Sequence, residues 1–278
     1  MTVSQLFLEL KNQLDRETAA FDITQLFDRR FGRNARLLRP DMSVSDEVEA
    51  ALRGEVLKLK SGYPLQYILG EWDFYGLTFK VGEGVLIPRA DTEISVETAL
   101  ELLKGKDKPR IADFCAGSGA IALALASQLS DCEIYAVELF DAAFDYLSQN
   151  IKSLDKNNRV KAVKADVLGN LSMLPVGLDM IASNPPYITA DEMKELSDEV
   201  KCEPETALFG GDDGLKFYRS IAESAQSLLN NGGWLVFEGG WKQAQEIKKI
   251  LKQSGFTDIS SAYDAGGIER CIYGRKSF

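Results

Sequence analysis

The sequence predicts an α/β fold in which a mostly parallel, seven-stranded sheet follows a small helical domain and a β-hairpin. From about residue 90 onward, short apolar segments alternate with amphipathic helical patterns. This alternation favours parallel strands with helices on both faces of the sheet. The first 70 or so residues show only helical periodicity. Between these regions, around residue 80, the pattern changes to the period of two that is typical of strands.

Three helices are predicted in the N-terminal region, residues 1–72. The first is marked by leucines four residues apart: Leu6, Leu10 and Leu14. The second is marked by apolar residues that precede a glycine: Phe21, Leu26, Phe27, Phe31 and then Gly32. The third lies between a predicted cap, Ser43 with Asp46, and a closing turn at Ser61-Gly62 and Pro64. These helices form either a bundle that only stabilises the rest of the chain or a domain that docks a substrate.

A β-hairpin is predicted as the connector, residues 73–88. Leu77, Phe79 and Val81 alternate with polar residues, which indicates a strand. The glycine-rich stretch 82–84 is typical of a turn, and the apolar stretch 85–87 is predicted as the second strand.

The third predicted region, residues 89–278, contains the sheet. Seven apolar stretches are predicted as its strands: 110–115, 133–138, 159–164, 178–183, 233–238, 256–262 and 269–274. Helices are predicted between most of them: 119–129, 141–153, 214–230 and 241–254. No helix separates the last two strands, so we expect them to pair antiparallel at one side of the sheet.

Composition excludes several classes of function. The chain carries 32 basic and 42 acidic residues, a net charge of −10. Such a surface repels phosphates, so we expect no direct nucleic-acid binding. The absence of histidine excludes a serine or cysteine triad with an imidazole base.

The four cysteines are far apart and form no C-x-x-C pair, so we expect neither a zinc site nor a disulfide framework. We expect no other metal site. The N-terminus lacks the basic start and apolar core of a signal peptide, and no apolar run is long enough to span a membrane. We therefore expect a cytoplasmic protein with no membrane contact.

A small, glycine-bearing turn follows the first strand of the predicted sheet. The strand reaches Asp113, and the turn Cys115-Ala116-Gly117-Ser118-Gly119 then begins an apolar helix. Glycines in this position allow the backbone to approach a ligand. A G-x-G pair alone is weak support, and the third glycine of the dinucleotide pattern is replaced by Ala122.

Acidic residues end the next two strands. Glu138 lies 19 residues after Gly119, the separation at which a carboxylate binds ribose hydroxyls in dinucleotide-binding folds. Together with the glycine turn, it predicts a site for an adenosine-containing cofactor, although a solvent-facing carboxylate remains the alternative. Asp166 ends the third strand and is either an adenine contact or a simple cap.

The fourth strand ends in SNPPYI, residues 183–188. Asn184 carries a side-chain carbonyl, the prolines hold backbone carbonyls in a rigid turn, and Tyr187 offers a flat ring. Two fixed acceptors would hold an –NH2 group in position for reaction, and this requires no imidazole. The alternative interpretation is a stiff proline turn without a chemical role.

Five segments in this order resemble the HemK/PrmC family of protein-(glutamine-N5) methyltransferases: PLQYILGEWDFYGLTFKV (64–81), VLIPRADTE (85–93), DFCAGSGAIALALA (113–126), SNPPYI (183–188) and EPETALFGGDDGL (203–215). The resemblance covers nearly the whole chain. It implies a Rossmann-like class I methyltransferase fold. It also implies methyl transfer from S-adenosylmethionine, with S-adenosylhomocysteine as product, to the glutamine of the Gly-Gly-Gln loop in class 1 peptide chain release factors. We expect a monomer.

The resemblance also implies roles for individual residues. The turn Cys115 to Gly119, with the backbone to Ala120, would hold the methionine part of the cofactor. Glu138 would bind the ribose, and Asp166 and Val167 would flank the adenine. The substrate amide would be bound by the NPPY residues: Asn184, the Pro185 carbonyl, Pro186 and Tyr187. Asn184 would also contact the cofactor, and the helical domain would dock the release factor. Arg89 lies in a signature segment of the family, and its role is left open: one interpretation is a purely structural ion pair with Asp91 or Glu93.

Three features stand out against the family pattern: Cys115 replaces the usual first glycine of the turn, Glu138 replaces a more usual aspartate, and Glu238-Gly239-Gly240 occupies a segment that varies in the family. Two other functions are retained as alternatives. One is methylation of an exocyclic amine of a nucleic acid (adenine N6 or guanine N2), which the acidic charge disfavours. The other is a non-catalytic partner of the translation machinery, which would have no need of the NPPY acceptors.

Overall fold

The computed structural model describes residues 1–32 and 37–277. The chain divides into two compact units. The first comprises Met1–Glu71 and the short segment Ser197–Cys202, and the second comprises Trp72–Leu196 and the chain from Glu203 onward. Within the described ranges, no helix combines the length and the hydropathy needed to cross a bilayer.

The first unit is helical: α1 (Val3–Gln13), α2 (Ala19–Phe31), α3 (Asp46–Lys60), α4 (Leu65–Leu69) and α8 (Asp198–Lys201). Its core contains fully buried leucines and isoleucines from α1, α2 and α3: Leu6, Leu10, Ile23, Leu26 and Leu52. The cap predicted at Ser43 is wrong by two residues, since the Ser45 hydroxyl accepts from the Val48 N–H. Ser43 instead forms a β-bridge with Thr2. Both serines precede the apolar pattern, and the sequence does not distinguish them.

The β-hairpin lies one strand earlier than predicted. Its strands are β1 (Glu71–Phe74) and β2 (Leu77–Lys80), joined through Tyr75 and Gly76. Both turn residues have positive φ, 50° and 75°, as a two-residue turn of type I′ requires. The stretch 85–87 was predicted as the second strand, and it is not one. Val85 and Ile87 are apolar because they are buried in the core, not because they pair.

The second unit contains a seven-stranded sheet, which confirms the predicted fold class. Its strands are β3 (Arg110–Phe114), β4 (Glu133–Glu138), β5 (Val160–Lys164), β6 (Leu178–Ser183), β7 (Leu229–Glu238), β8 (Phe256–Tyr263) and β9 (Glu269–Lys276). They lie in the order β5-β4-β3-β6-β7-β9-β8. The first five are parallel, and β9 runs antiparallel to both of its neighbours.

Helices cover both faces of the sheet: α5 (Glu93–Leu102), α6 (Ala120–Gln128) and α7 (Asp141–Leu154) on one, and α10 (Lys216–Leu228) and α11 (Ala244–Gln253) on the other. Successive strand residues alternate between the two cores. Ile111 packs with the α5–α7 layer and Ala112 with the α10–α11 layer. Burial on both faces explains why the central strands β3, β4 and β6 are mostly apolar.

The register of the sheet brings the ends of four strands to one edge. Phe114 pairs with Val137 on one side and with Ser183 on the other, and Ser183 pairs with Phe237. After β3 the chain continues to β4 on one side and returns later to β6 on the other, so β3 lies at the point where the strand order reverses. Open α/β sheets bind their ligands at this point.

Candidate active site

The glycine turn after β3 has the backbone conformation that its residues suggest. Gly117 and Gly119 have φ of 56° and 86°, a region that favours glycine. Cys115 adopts φ of 59° as well, although it carries a side chain. Hydrogen bonds fix the turn: the Ala116 N–H donates to the Val137 carbonyl (3.0 Å), and the Gly119 N–H donates to the Ala116 carbonyl (2.7 Å). The turn is therefore tied to the end of β4.

The carboxylate of Glu138 completes this arrangement. One oxygen accepts from the Gly117 N–H at 2.9 Å. The other accepts from the Leu139 and Phe140 N–H groups at 2.8 and 2.9 Å. Glu138 is buried, so the three bonds hold its carboxylate at the junction of the glycine turn and the β4 end. An oxygen with one hydrogen bond can still accept from a ligand hydroxyl.

A second buried acid, Asp113, was not assigned a role from the sequence. It is 1% exposed, and one oxygen accepts from the Ala122 N–H at 3.0 Å. Its other oxygen, Oδ1, has no hydrogen-bond partner in the described structure. Burial raises its pKa to about 7, more than the bond from Ala122 lowers it, and the charge of Glu138 contributes to the rise. A buried, half-satisfied carboxyl of this kind indicates a ligand contact.

Cys115 is a weak candidate for any thiolate chemistry. Its pKa is raised well above the usual value, first by burial and then by the charges of Glu138 and Asp113. Because the thiolate is the nucleophilic form, this thiol is inert at neutral pH. Its contribution to the site is the shape of the turn.

A cavity of about 420 Å³ opens above these strand ends, within the range typical of small-molecule sites. Most of the predicted site residues line it: Cys115, Ala116, Gly117, Ser118, Ala120, Glu138, Asp166, Val167, Asn184 and Pro186. Asp113, Arg89, Thr92 and Lys216 line it too. Three predicted residues do not: Gly119, Pro185 and Tyr187.

The NPPY turn forms part of the wall of this cavity. Pro185 and Pro186 are buried, and Asn184 is half-buried with its amide Nδ2 donating to the Thr92 hydroxyl at 3.3 Å. The Tyr187 ring packs beside Gly240. Burial, reinforced by the charge of Glu238, raises the Tyr187 pKa to about 12, so its phenol is neutral in the working range.

The segment from residue 208 to residue 214 braces the NPPY turn. Ile188 donates to the Leu208 carbonyl (2.8 Å), and Gly210 donates back to the Ile188 carbonyl (2.9 Å). Side chains are excluded at this contact, since a Cβ on Gly210 would lie 2.6 Å from both the Pro186 carbonyl oxygen and the Tyr187 Cα. The glycines of the GGDDG stretch thus allow two backbones to touch.

Arg89 has a partner that the sequence did not indicate. It pairs with Glu203, whose other oxygen accepts from the Ile87 N–H at 3.1 Å. The expected pairing with Asp91 or Glu93 is therefore wrong: Asp91 pairs with Arg270 at 3.2 Å, and Glu93 accepts from the Tyr75 N–H. Glu203 is far away in sequence, and only folding brings it to Arg89. The pair joins the IPRADTE and EPETAL segments.

Glu238, at the end of β7, is a further buried acid to which the sequence reasoning assigned no role. It is 2% exposed, and its Oε2 has no hydrogen-bond partner in the parts of the chain that the structure describes. Burial raises its pKa to about 7, although the polar groups of Thr92 and Asn184 and the charge of Arg270 all lower it. The available signal was its position, because Asp113 and Glu138 also lie at or next to the ends of β3 and β4.

Known proteins include relatives of this chain. Residues 84–208 match the family described as "Methyltransferase small domain". A release factor glutamine methyltransferase of Clostridium botulinum is 39% identical over 241 residues, 86% of this chain and 85% of the relative. The chain belongs to the release factor glutamine methyltransferase family. A member from Fusobacterium nucleatum is 43% identical over 223 residues, 80% of this chain but 62% of that protein's length.

A solved structure agrees with this family's fold. A methyltransferase from Pyrococcus furiosus superposes with a TM-score of 0.53 and 18% identity, and covers 82% of this chain and 100% of its own. Membership of the release factor glutamine methyltransferase family confirms the resemblance drawn from the five sequence segments. The chain is a methyltransferase with a class I fold.

Proposed function

We propose that this chain transfers a methyl group from S-adenosylmethionine to the side-chain amide nitrogen of the glutamine in the Gly-Gly-Gln motif of class 1 peptide chain release factors. The supporting observation is that one cavity is lined by the glycine turn with Asp113 and Glu138 and also by Asn184. A donor site and an amide-binding group thus share one enclosure. The names of the family members give the substrate class.

The residues present fit the proposed cofactor. The unpartnered Oδ1 of Asp113 is a buried acceptor suited to a cationic ligand, and S-adenosylmethionine is a cation. Glu138 offers remaining acceptor capacity for ribose hydroxyls, and Val167 offers apolar surface for an adenine ring beside Asp166. When bound, the cofactor supplies an electrophilic methyl group on a sulfonium.

The NPPY residues would make the amide nitrogen reactive. Its lone pair is delocalised into the carbonyl, so an amide is a poor nucleophile. In this proposal, the Asn184 side-chain oxygen and the Pro185 carbonyl accept the two amide hydrogens. They also stabilise the positive charge that develops on nitrogen, which becomes neutral again when one amide proton passes to water. Pro186 shapes the wall, and Tyr187 is proposed to pack on the amide face.

Several wider features belong to the same proposal. The helical unit would dock the release factor. The site is built from residues of one chain, so a monomer suffices. Release factors act on ribosomes, which places the reaction in the cytoplasm. No metal ligand set is required, because the acceptors and the cofactor supply the chemistry.

The test is methyl transfer from labelled S-adenosylmethionine to a purified, unmethylated release factor. Asn184→Ala should lower kcat about 100-fold, the cost of removing one preorganised polar group. Cofactor affinity, measured by calorimetry, should change much less. Asn157→Ala, which removes an exposed asparagine elsewhere, is the matched control and should react like wild type.

The alternative substrate class is tested in the same assay. Total RNA and DNA replace the release factor, over a series of salt concentrations. Label transferred to nucleic acid but not to the release factor would contradict the proposal, and such transfer would weaken steeply with salt.

A further inference from the structure

The orientation of the Asn184 amide decides what this residue can bind. Its two ends are similar in shape, but one accepts hydrogen bonds and the other donates them. A substrate –NH2 group needs the oxygen end. Two groups lie beside this side chain: the hydroxyl of Thr92, which also lines the cavity, and the carboxyl of Glu238, which does not.

Sheet register places these groups together. Ser183 pairs with Phe237, so Asn184 and Glu238 are the next residues beyond the paired ends of β6 and β7. Thr92 lies at the start of α5, is 4% exposed, and makes no side-chain capping bond to that helix. Its hydroxyl is therefore available for side chains: it accepts from Asn184 Nδ2 at 3.3 Å, and it lies close enough to the Glu238 carboxyl to lower the pKa of that group.

The direction of these bonds follows from the chemistry of the carboxylate. Ionised Glu238 can only accept, so the single hydroxyl proton of Thr92 must point toward it. The Thr92 oxygen then has only lone pairs to offer Asn184, and the asparagine must present its nitrogen. A direct contact between Asn184 and ionised Glu238 imposes the same direction.

We propose that Glu238 and Thr92 are positioning residues that turn the Asn184 carbonyl toward the substrate amide. This inference rests on the proposed function of the NPPY turn. Both act through Asn184: Glu238 does not line the cavity, and Thr92, which does, holds the nitrogen end of the Asn184 amide. When Glu238 gains a proton, its O–H can donate to the Thr92 oxygen, and the Thr92 hydroxyl can then donate to the Asn184 side-chain oxygen. Asn184 would then present its –NH2 end to the substrate instead.

The midpoint of this change follows from the environment of Glu238, whose pKa burial raises to about 7. Charged and titratable groups face it from every neighbouring element: Asp91, Tyr187, Tyr218, Arg270 and Cys271. The phenols and the thiol stay neutral near pH 7, since burial raises their pKa values. Arg270 lowers the Glu238 pKa and Asp91 raises it. Glu238 is the group of this set that titrates near neutrality.

Kinetic variants test the positioning role. Thr92→Val keeps the shape and removes the hydroxyl, and should lower kcat about tenfold, the value of one hydrogen bond to a neutral group. The KM for the release factor and the affinity for S-adenosylmethionine should stay within a few-fold of wild type. Thr92→Ser should restore kcat. Ser95→Ala, which removes a buried hydroxyl elsewhere on α5, is the control.

The pH profile separates positioning from simple structural support. At saturating substrates, wild-type kcat should rise between pH 6 and 8, and Glu238→Gln should remove this rise because glutamine does not titrate. A lower but still rising profile in Glu238→Gln would overturn the proposal. So would a wild-type kcat in Thr92→Val.

A second readout does not depend on catalysis. In the full chain labelled with 15N-asparagine, the Asn184 side-chain peaks are identified by their loss in Asn184→Asp. They should shift with a midpoint near pH 7 in wild type and stay constant in Glu238→Gln. Equal behaviour in both proteins would overturn the inference. If wild type failed to methylate release factors but these peaks still titrated, the proposed function would be wrong. The inference that Glu238 and Thr92 orient the Asn184 amide would stand.

Discussion

Replacing Gly210 with alanine should disable catalysis while leaving the cofactor site intact. The added Cβ would lie 2.6 Å from the Pro186 oxygen, 2.6 Å from the Tyr187 Cα and 2.9 Å from the Tyr187 carbonyl carbon. All three are backbone atoms and cannot rotate away. Since non-bonded carbons normally approach to about 3.5–4.0 Å, the two segments must separate by about 1 Å.

The size of the effect follows from this displacement. Overpacking of this kind costs about 1–3 kcal/mol of stability, so the chain should still fold. A misplacement of about 1 Å at a reacting group can cost about 100-fold in rate. The glycine turn and Glu138 do not contact Gly210, so the Kd for S-adenosylmethionine should change by less than about threefold, or under 1 kcal/mol.

The assay measures single-turnover methyl transfer at saturating cofactor, with Kd from calorimetry and folding from circular dichroism. Gly54→Ala is the matched control, because a Cβ there meets no atom within 4 Å and lies inside helix α3. It should retain full activity and gain about 0.5–1 kcal/mol of stability. A Gly210→Ala protein with wild-type kcat would refute the view that contact with this segment sets the NPPY geometry.

Two further predictions concern the cofactor site. Asp113 has a pKa of about 7 in the free protein, and a bound cation favours its charged form, so binding of S-adenosylmethionine should release a proton. The affinity for S-adenosylmethionine should therefore rise with pH by up to about tenfold per unit between pH 5 and 7 and then level off. Calorimetry should find no such rise in Asp113→Asn. The same rise in that variant would contradict the role of Asp113. Glu138→Gln replaces one of the two acceptor oxygens with an –NH2 donor that faces backbone N–H groups. It should weaken cofactor binding about 10- to 100-fold, since hydrogen bonds to charged groups contribute about 1.5–3 kcal/mol each. Unchanged affinity in that variant would exclude Glu138 from the cofactor site.

The sequence predicted the sheet well because its signals are local. The central strands β3, β4 and β6 are largely apolar runs, and their burial on both faces makes these runs unambiguous. The hairpin failed for the converse reason. Val85 and Ile87 are apolar because they are buried in the core, and they belong to no strand. The position of the hairpin is set by the Tyr75-Gly76 turn, where both residues have positive φ.

Site residues were predicted where a motif fixes them within one loop, as for Cys115 to Gly119 and for Asn184. Contacts between distant segments could not be predicted from the same patterns. Arg89 meets Glu203 across more than a hundred residues, and Glu238 reaches Asn184 only because β6 and β7 pair in the sheet. The role of Asp113 depends on burial, which raises its pKa and leaves one oxygen without a partner, and burial is a property of the fold.

The most direct test of the central claim is mass spectrometry of the Gly-Gly-Gln peptide from an unmethylated release factor incubated with this chain and S-adenosylmethionine. The account predicts a mass gain of one methylene group, located on the glutamine side chain by fragmentation. The gain should be absent with Asn184→Ala and with a release factor whose glutamine is changed to glutamate. An unmodified glutamine, in a reaction where calorimetry shows the cofactor bound, would contradict it.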